Sequence, residues 1–225
     1  MLETKKSKWF ENLFAIYNRN LLKRRFHSIQ VSGLENLIFK NPPTPFVIFA
    51  NHSSWWDGLV VLEILRRYDF ESYVMMEEKQ LKKLFLFRRL GAFSVVRENP
   101  REAVKSINYA VNLLKVNSDR TVLIFPQGEI LPNDIRPLQF YSGISRIIEK
   151  VGKCFAVPMA LRYEFLGNFK PEIYVKINTP EHFTNLDGIN TKNSTRRLSE
   201  TLTGTLDDLK TDVVSKNTAN YEKLF

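Results

Sequence analysis

The sequence is poor in cysteine. One thiol, Cys154, stands among 225 residues, so an internal disulfide framework is excluded and the fold must rest on a packed core. A lone cysteine fits a reducing compartment. Cys154 precedes the apolar run Phe155-Ala156-Val157 and is expected to be a small buried side chain. Histidine is scarce too. The three histidines sit far apart at positions 27, 52 and 182, and with one cysteine they offer no metal-ligand spacing, so no metal is expected. Long apolar runs are also missing. A membrane-spanning helix needs about 20 mostly apolar residues, whereas Phe46 to Ala50 is only strand-sized. Lys5, Lys6 and Lys8 resemble a basic leader, but Glu11, Asn12, Asn18 and Arg19 break the apolar stretch behind them, which argues against a signal peptide. The expectation is a cytoplasmic protein, peripheral on the cytoplasmic face of a membrane.

Acidic residues are outnumbered. Lys and Arg total 33 against 24 Asp and Glu, a formal net charge of +9. That balance favours anionic partners, either nucleic acid or an anionic membrane surface, and composition alone does not choose. No nucleic-acid motif accompanies the charge. The length suits one domain with a substantial core.

The first 26 residues have helical spacing. Trp9, Phe10, Leu13, Phe14, Tyr17, Leu21 and Leu22 recur at helical intervals among Lys5, Lys6, Lys8, Arg19, Lys23, Arg24 and Arg25. Such a segment suits a helix lying among lipid headgroups, and equally a helix packed on a core. Ser32-Gly33 and Asn41-Pro42-Pro43 mark turns. Strands are predicted over 44–50, 72–76, 92–96, 120–125, 155–163 and 172–178. Helices are predicted over 59–67, 80–90, 142–151 and 194–213. A further helix opens at Asn99, which can cap, with Pro100 in the first turn and Glu102 three residues after the cap. Strands alternating with helices predict a single α/β domain, a mostly parallel or mixed sheet flanked by helices. The chain divides into an amphipathic segment over 1–32, the α/β domain over 33–215, and a polar, frayed tail over 216–225.

The candidate site lies where the 44–50 strand runs into Asn51-His52-Ser53-Ser54-Trp55-Trp56-Asp57-Gly58. Loops at strand ends are common places for sites in α/β folds. Of the three histidines only His52 has this setting; His27 lies in the basic N-terminal region and His182 in a predicted loop. A histidine can take a proton from a hydroxyl near neutral pH. It does so better when a carboxylate holds its other ring nitrogen. On a regular helix, a spacing of five residues turns about 140° round the axis. His52 must therefore sit in the loop and reach towards Asp57 in the first helical turn. Ser53 and Ser54 lack the Gly-x-Ser-x-Gly setting of a serine nucleophile.

The segment 51–57 resembles the His-x4-Asp motif of the glycerolipid acyltransferases related to lysophosphatidic acid acyltransferase. Three further blocks follow in that family's order. Gly91-Ala92-Phe93-Ser94-Val95-Val96-Arg97 resembles the second. Phe125-Pro126-Gln127-Gly128-Glu129 resembles the third, and Val157-Pro158-Met159-Ala160 the fourth. The resemblance covers roughly residues 46 to 160. It implies a membrane-associated O-acyltransferase with no cofactor, which takes acyl-CoA or acyl carrier protein as co-substrate. The acyl group would pass directly to a hydroxyl of a lysophospholipid such as 1-acylglycerol-3-phosphate. By the same resemblance His52 is the general base, Asp57 orients it, and backbone N–H groups near Gly128 are candidates to stabilise the developing oxyanion.

The third block departs from the family pattern Phe-Pro-Glu-Gly-Thr-Arg. Gln127, Glu129 and Ile130 replace its glutamate, threonine and arginine. Isoleucine cannot pair with phosphate as a guanidinium does, and Glu129 adds a negative charge. Arg97, Arg136 and Lys79 remain candidate phosphate contacts. Gln127 and Glu129 could instead hydrogen-bond sugar hydroxyls, so a glycosylated lipid or carotenoid is an alternative acceptor. A non-catalytic protein that binds anionic lipid is the alternative from another class. Trp55 and Trp56 suit either the substrate path or the core. The basic 80–90 segment, with Phe85 and Phe87, is a second candidate membrane contact.

Overall fold

The computed structural model describes residues 1–38, 44–68, 70–184 and 190–225. One mixed sheet forms the middle of the molecule. Its strands are β1 (Ser28–Ser32), β2 (Phe46–Ala50), β3 (Glu71–Glu77), β4 (Ala92–Val95), β5 (Arg120–Ile124), β6 (Cys154–Glu164), β7 (Glu172–Ile177), β8 (Glu181–Phe183) and β9 (Glu222–Lys223). The order across the sheet is β4-β3-β5-β2-β6-β7-β1-β9, with β8 paired to β6. From β4 to β6 every neighbouring pair is parallel, so five strands end on one edge. The β6–β7 pair is antiparallel. β2 lies in the middle of the parallel run and is buried along its whole length, as a continuous apolar strand should be when both faces are covered.

Helices cover both faces. On one, α4 (Pro100–Val116), α5 (Gly143–Val151) and α6 (Thr191–Val214) pack over Val47, Phe49, Val122 and Ile124. On the other, α1 (Lys8–Arg25) and α2 (Asp57–Leu65) pack over Phe46, Ile48 and Val157. The alternation along β2, with 46 and 48 to one side and 47 and 49 to the other, is the period-two rule of a strand. Asn99 caps α4, its side chain accepting from the N–H groups of Arg101 and Glu102. Glu102 turns to Lys105 rather than back to the cap. Among the described residues no helix is long and apolar enough to cross a membrane.

Several expectations needed correction. β1 continues directly after the first helix and pairs with β7, so the sheet begins before residue 33. The 80–90 stretch is not one helix. It is a short α3 (Glu78–Lys83) followed by a 3-10 turn over Phe85–Leu90, because Leu84 leaves helical dihedrals. Gly91, at φ +98°, closes that turn in the left-handed region, and a Cβ there would lie 2.6 Å from the Ser72 carbonyl oxygen. His182 is in β8, stacked on Phe155, not in a loop. The tail is not frayed. β9 pairs with β1, Leu224 is buried, and Arg67 holds both Glu222 and the Leu224 carbonyl. The turn expected at Asn41-Pro42-Pro43 lies outside the described residues. The edge of β4 is covered by the start of the chain, with the Ser94 N–H bonded to the Leu2 carbonyl.

Candidate active site

The loop after β2 carries His52, and α2 opens on Asp57. Asp57 is fully buried, yet its carboxylate is saturated with donors. Oδ2 lies 2.8 Å from His52 Nδ1 and accepts from the backbone N–H groups of Ser53 at 2.7 Å and Ser54 at 2.8 Å. Oδ1 accepts from the Tyr163 hydroxyl at 2.5 Å. A buried carboxylate is tolerable only with such partners. The 51–56 loop therefore wraps round the carboxylate, which is how residues five apart meet although no helix face would join them. With Nδ1 engaged by Asp57, Nε2 is the ring nitrogen that makes no hydrogen bond among the described residues.

The loop is held from behind. The His52 N–H donates to Gln127 Oε1 at 2.8 Å, and the His52 carbonyl accepts from the Leu131 N–H. The His52 ring stacks on Phe125, with centroids 4.4 Å apart. Buried Asn51 bonds both the N–H and the carbonyl of Leu161 and reaches Asn133. These contacts tie the ends of β2, β5 and β6 together. Among the described residues neither Ser53 nor Ser54 hydrogen-bonds the imidazole, so neither is set up as a nucleophile. Cys154 is buried, and burial pushes its thiol up to about 12, which leaves it inert.

His52 opens onto a cavity of about 740 Å³, inside the ~300–1,000 Å³ range of ligand pockets. Its walls come from both faces of the sheet. Leu59, Leu62 and Val74 line it on the α2 side, and Ala103, Ile107 and Ile144 on the α4–α5 side. The same lining includes the charged residues Glu77, Arg97, Glu129 and Arg146. An ionisable site in the wall of a largely apolar cavity suits a substrate with an oily chain and a polar reacting end.

Residues 28–162 match the family model described as Acyltransferase. The chain belongs to the acyltransferase family. No curated protein matches it by sequence. Among solved structures, it resembles the crystal structure of the 1-acyl-sn-glycerophosphate (LPA) acyltransferase PlsC from Thermotoga maritima. The TM-score is 0.66 at 20% identity, over 89% of this chain and 79% of that chain. That likeness establishes a shared fold, an α/β domain with a mixed sheet flanked by helices.

The acyltransferase brings some predicted residues together and leaves others out. Arg97 lies against Gly128 and over the Tyr141 ring, 5.4 Å from its centroid. Gly128 sits at φ +77°, which favours glycine, and a Cβ there would come within 2.3 Å of the Arg97 guanidinium and displace it. The Gly128 N–H is already bonded to the Phe125 carbonyl, whereas those of Glu129 and Ile130 make no hydrogen bond among the described residues. Gln127 is buried behind the His52 loop, its oxygen occupied by that loop rather than turned to a substrate. Arg136 is outside the cavity. It clamps Asp207 of α6 and the carbonyls of Asn133 and Ile135. Lys79 is exposed, away from the cavity wall, 3.6 Å from Glu98. Trp55 lines the cavity and stacks on Phe87, while Trp56 packs against Phe26.

Sequence reasoning missed Tyr163 and Arg146. Tyr163 reads as the last residue of a strand, and nothing local shows that β6 delivers it to a carboxylate 106 positions earlier. Burial, then the charge of Asp57, holds its phenol well above the ordinary range, so it stays a donor. Arg146 lies in α5 and reaches the cavity only through the packing of that helix. Among the described residues no cluster of histidine, cysteine and carboxylates could hold a metal ion.

Proposed function

We propose that this acyltransferase moves a fatty acyl group from a thioester, acyl-CoA or acyl carrier protein, onto a hydroxyl of a lysophospholipid of the 1-acylglycerol-3-phosphate type. The observation that carries this reading is the His52–Asp57 pair in the wall of a largely apolar cavity. His52 Nε2 takes the hydroxyl proton as the alcohol oxygen attacks the thioester carbonyl. The tetrahedral intermediate collapses with cleavage of the C–S bond, and the imidazolium returns its proton to the departing thiolate. The N–H groups of Glu129 and Ile130 are the available donors beside Gly128 for the oxyanion. Asp57 steadies the imidazolium as charge develops.

The apolar cavity takes the acyl chain, and Arg97 with Arg146 faces the acceptor's phosphate. A second reading rests on Glu129, exposed on the cavity wall where it would repel that phosphate. It assigns a glycosylated lipid as the acceptor. Docking to an anionic membrane surface is supported by α1, whose outward side carries Trp9, Leu13, Ile16 and Tyr17. Its last turn carries Lys23, Arg24 and Arg25. A helix that is apolar on its outer side as well as its inner one fits the headgroup layer.

One labelled acyl-CoA offered with a panel of lysophospholipids and glycolipids tests both readings. Label in phosphatidic acid alone supports the first, and label in glycolipid alone the second. Thioester hydrolysis without transfer to any acceptor overturns both. His52→Ala is expected to lower transfer at least ~100-fold, the range for losing a general base.

A further inference from the structure

The turn between β6 and β7 is built unlike a solvent-facing turn. Phe165 is 71% exposed, and Phe169 is 99% exposed, with exposed Leu166 between them. Turns ordinarily take small polar residues, and here only Gly167 and Asn168 belong to that set.

Its position is set by the sheet. β6 is parallel to β2, so its end lies on the same edge as His52. Tyr163, two residues before Phe165, bonds Asp57. The other side of the turn is pinned to the end of α1: the His27 N–H bonds the Pro171 carbonyl, and Lys170 Nζ bonds the Lys23 carbonyl at 3.1 Å. Lys23, Arg24 and Arg25 are exposed beside it. From there α1 runs back over 18 residues, about 27 Å at 1.5 Å per residue, and part-way along it Phe14 touches Phe87 of the 3-10 turn. Exposed Trp9, Leu13, Ile16 and Tyr17 lie along that helix.

We propose that the 165–169 turn is a lipid anchor. Phe165, Leu166 and Phe169 insert into the interfacial layer of an anionic phospholipid bilayer, while Lys170 and the cations ending α1 meet its headgroups. This rests on the membrane-surface reading above and deepens it: two anchors, α1 and the turn, fix the orientation of the molecule. A bilayer is the occupant that fits. The tip is too small for a stable protein interface, which needs about 800 Å² per partner, and the cations around it match anionic headgroups.

The test uses the full chain and vesicles of phosphatidylcholine with or without phosphatidylglycerol. Three proteins are sedimented with them: wild type, Phe165→Ser/Phe169→Ser, and Trp9→Ser/Leu13→Ser. Each anchor variant should bind anionic vesicles ~10-fold more weakly, since each loses two inserted apolar side chains. Activity on a short-chain, water-soluble thioester and acceptor should be unchanged in the turn variant. Phe169→Cys, carrying a polarity-sensitive dye, should shift to the blue on anionic vesicles. The same dye at Lys115→Cys, on the opposite edge of the sheet, should not. Buried Cys154 does not compete for the dye.

Full vesicle binding by the turn variant, with binding lost only in the α1 variant, overturns the turn anchor and leaves the membrane reading standing. Wild type that binds no vesicle overturns both. A dye shift that follows protein concentration without vesicles identifies a second copy as the occupant and overturns the proposal. Equal binding to neutral vesicles overturns its electrostatic part.

Discussion

Asp57 spends both oxygens on four donors, and Tyr163 is the one that comes from a distant strand. Tyr163→Phe leaves Oδ1 without its partner inside the protein. The expected cost is about 1–3 kcal/mol of stability, read from denaturant unfolding. The expected loss in kcat is ~10-fold with KM unchanged, because the carboxylate loses orientation rather than substrate contact. An unaltered kcat beside lowered stability would reduce Tyr163 to a packing residue. The arginines make a second contrast. Arg97 lines the cavity, and Arg136 spends its donors on Asp207 and two carbonyls. Arg97→Ala should raise the acceptor's KM ~10-fold or more, as loss of a charge-assisted bond to phosphate would. Arg136→Ala should leave that KM alone and cost about 1 kcal/mol of stability. Reversed effects would return Arg136 to the site.

At the scale of elements, the contact of α1 with α2 includes a charged pair on a core edge. Arg19 Nη1 lies 3.5 Å from Glu63 Oε1. Burial raises the Glu63 carboxyl above its ordinary 4.5, and Arg19, Arg66 and Arg67 oppose that without reversing it. The folded protein therefore holds this proton more tightly than the unfolded chain. The stability so gained is complete below the ordinary value and is lost as pH rises through the raised one. Glu63→Gln stays neutral throughout. Its melting temperature should match wild type at low pH and gain on it as pH rises above the ordinary carboxylate range. A difference constant with pH would mean that Glu63 ionises freely in the fold.

The same scale shows why some elements were legible in the sequence and others were not. The apolar run Phe46–Ala50 and the capped start at Asn99 each carry their own signal, a buried strand and a helix N-terminus. β8 and β9 carry none, and β1 only the brief alternation Ile29-Gln30-Val31. They are short, hold Ser, Gln, Glu, His and Lys, and become strands because β7, β6 and β1 offer free edges. The 80–90 stretch has helical spacing, but its second half tightens into a 3-10 turn that sets Phe87 against Phe14 and Trp55. Packing overrides period there.

For the whole molecule, the end of the chain closes the sheet. Leu224 is buried, its N–H bonds the Ile29 carbonyl, and Phe225 packs on the same core. Leu224→Ser should cost about 2 kcal/mol, the value of burying such a side chain, measured by urea unfolding. A change within ~0.5 kcal/mol is what an exposed site would show and would mean that the tail is loose.

The sequence by itself left the sheet parallel or mixed, and it determined the α/β class and the candidate pair of His52 and Asp57. These depend on local pattern: apolar periodicity, a capping residue, and motifs whose members lie within a few positions of each other. Only the tertiary structure decided that Arg97 lines the cavity while Arg136 is spent on Asp207, that Gln127 braces the His52 loop, and that Tyr163 completes the cradle of Asp57. Those contacts join residues that lie far apart in the chain. Their geometry is a property of strand order and helix packing, and no spacing along one segment records it.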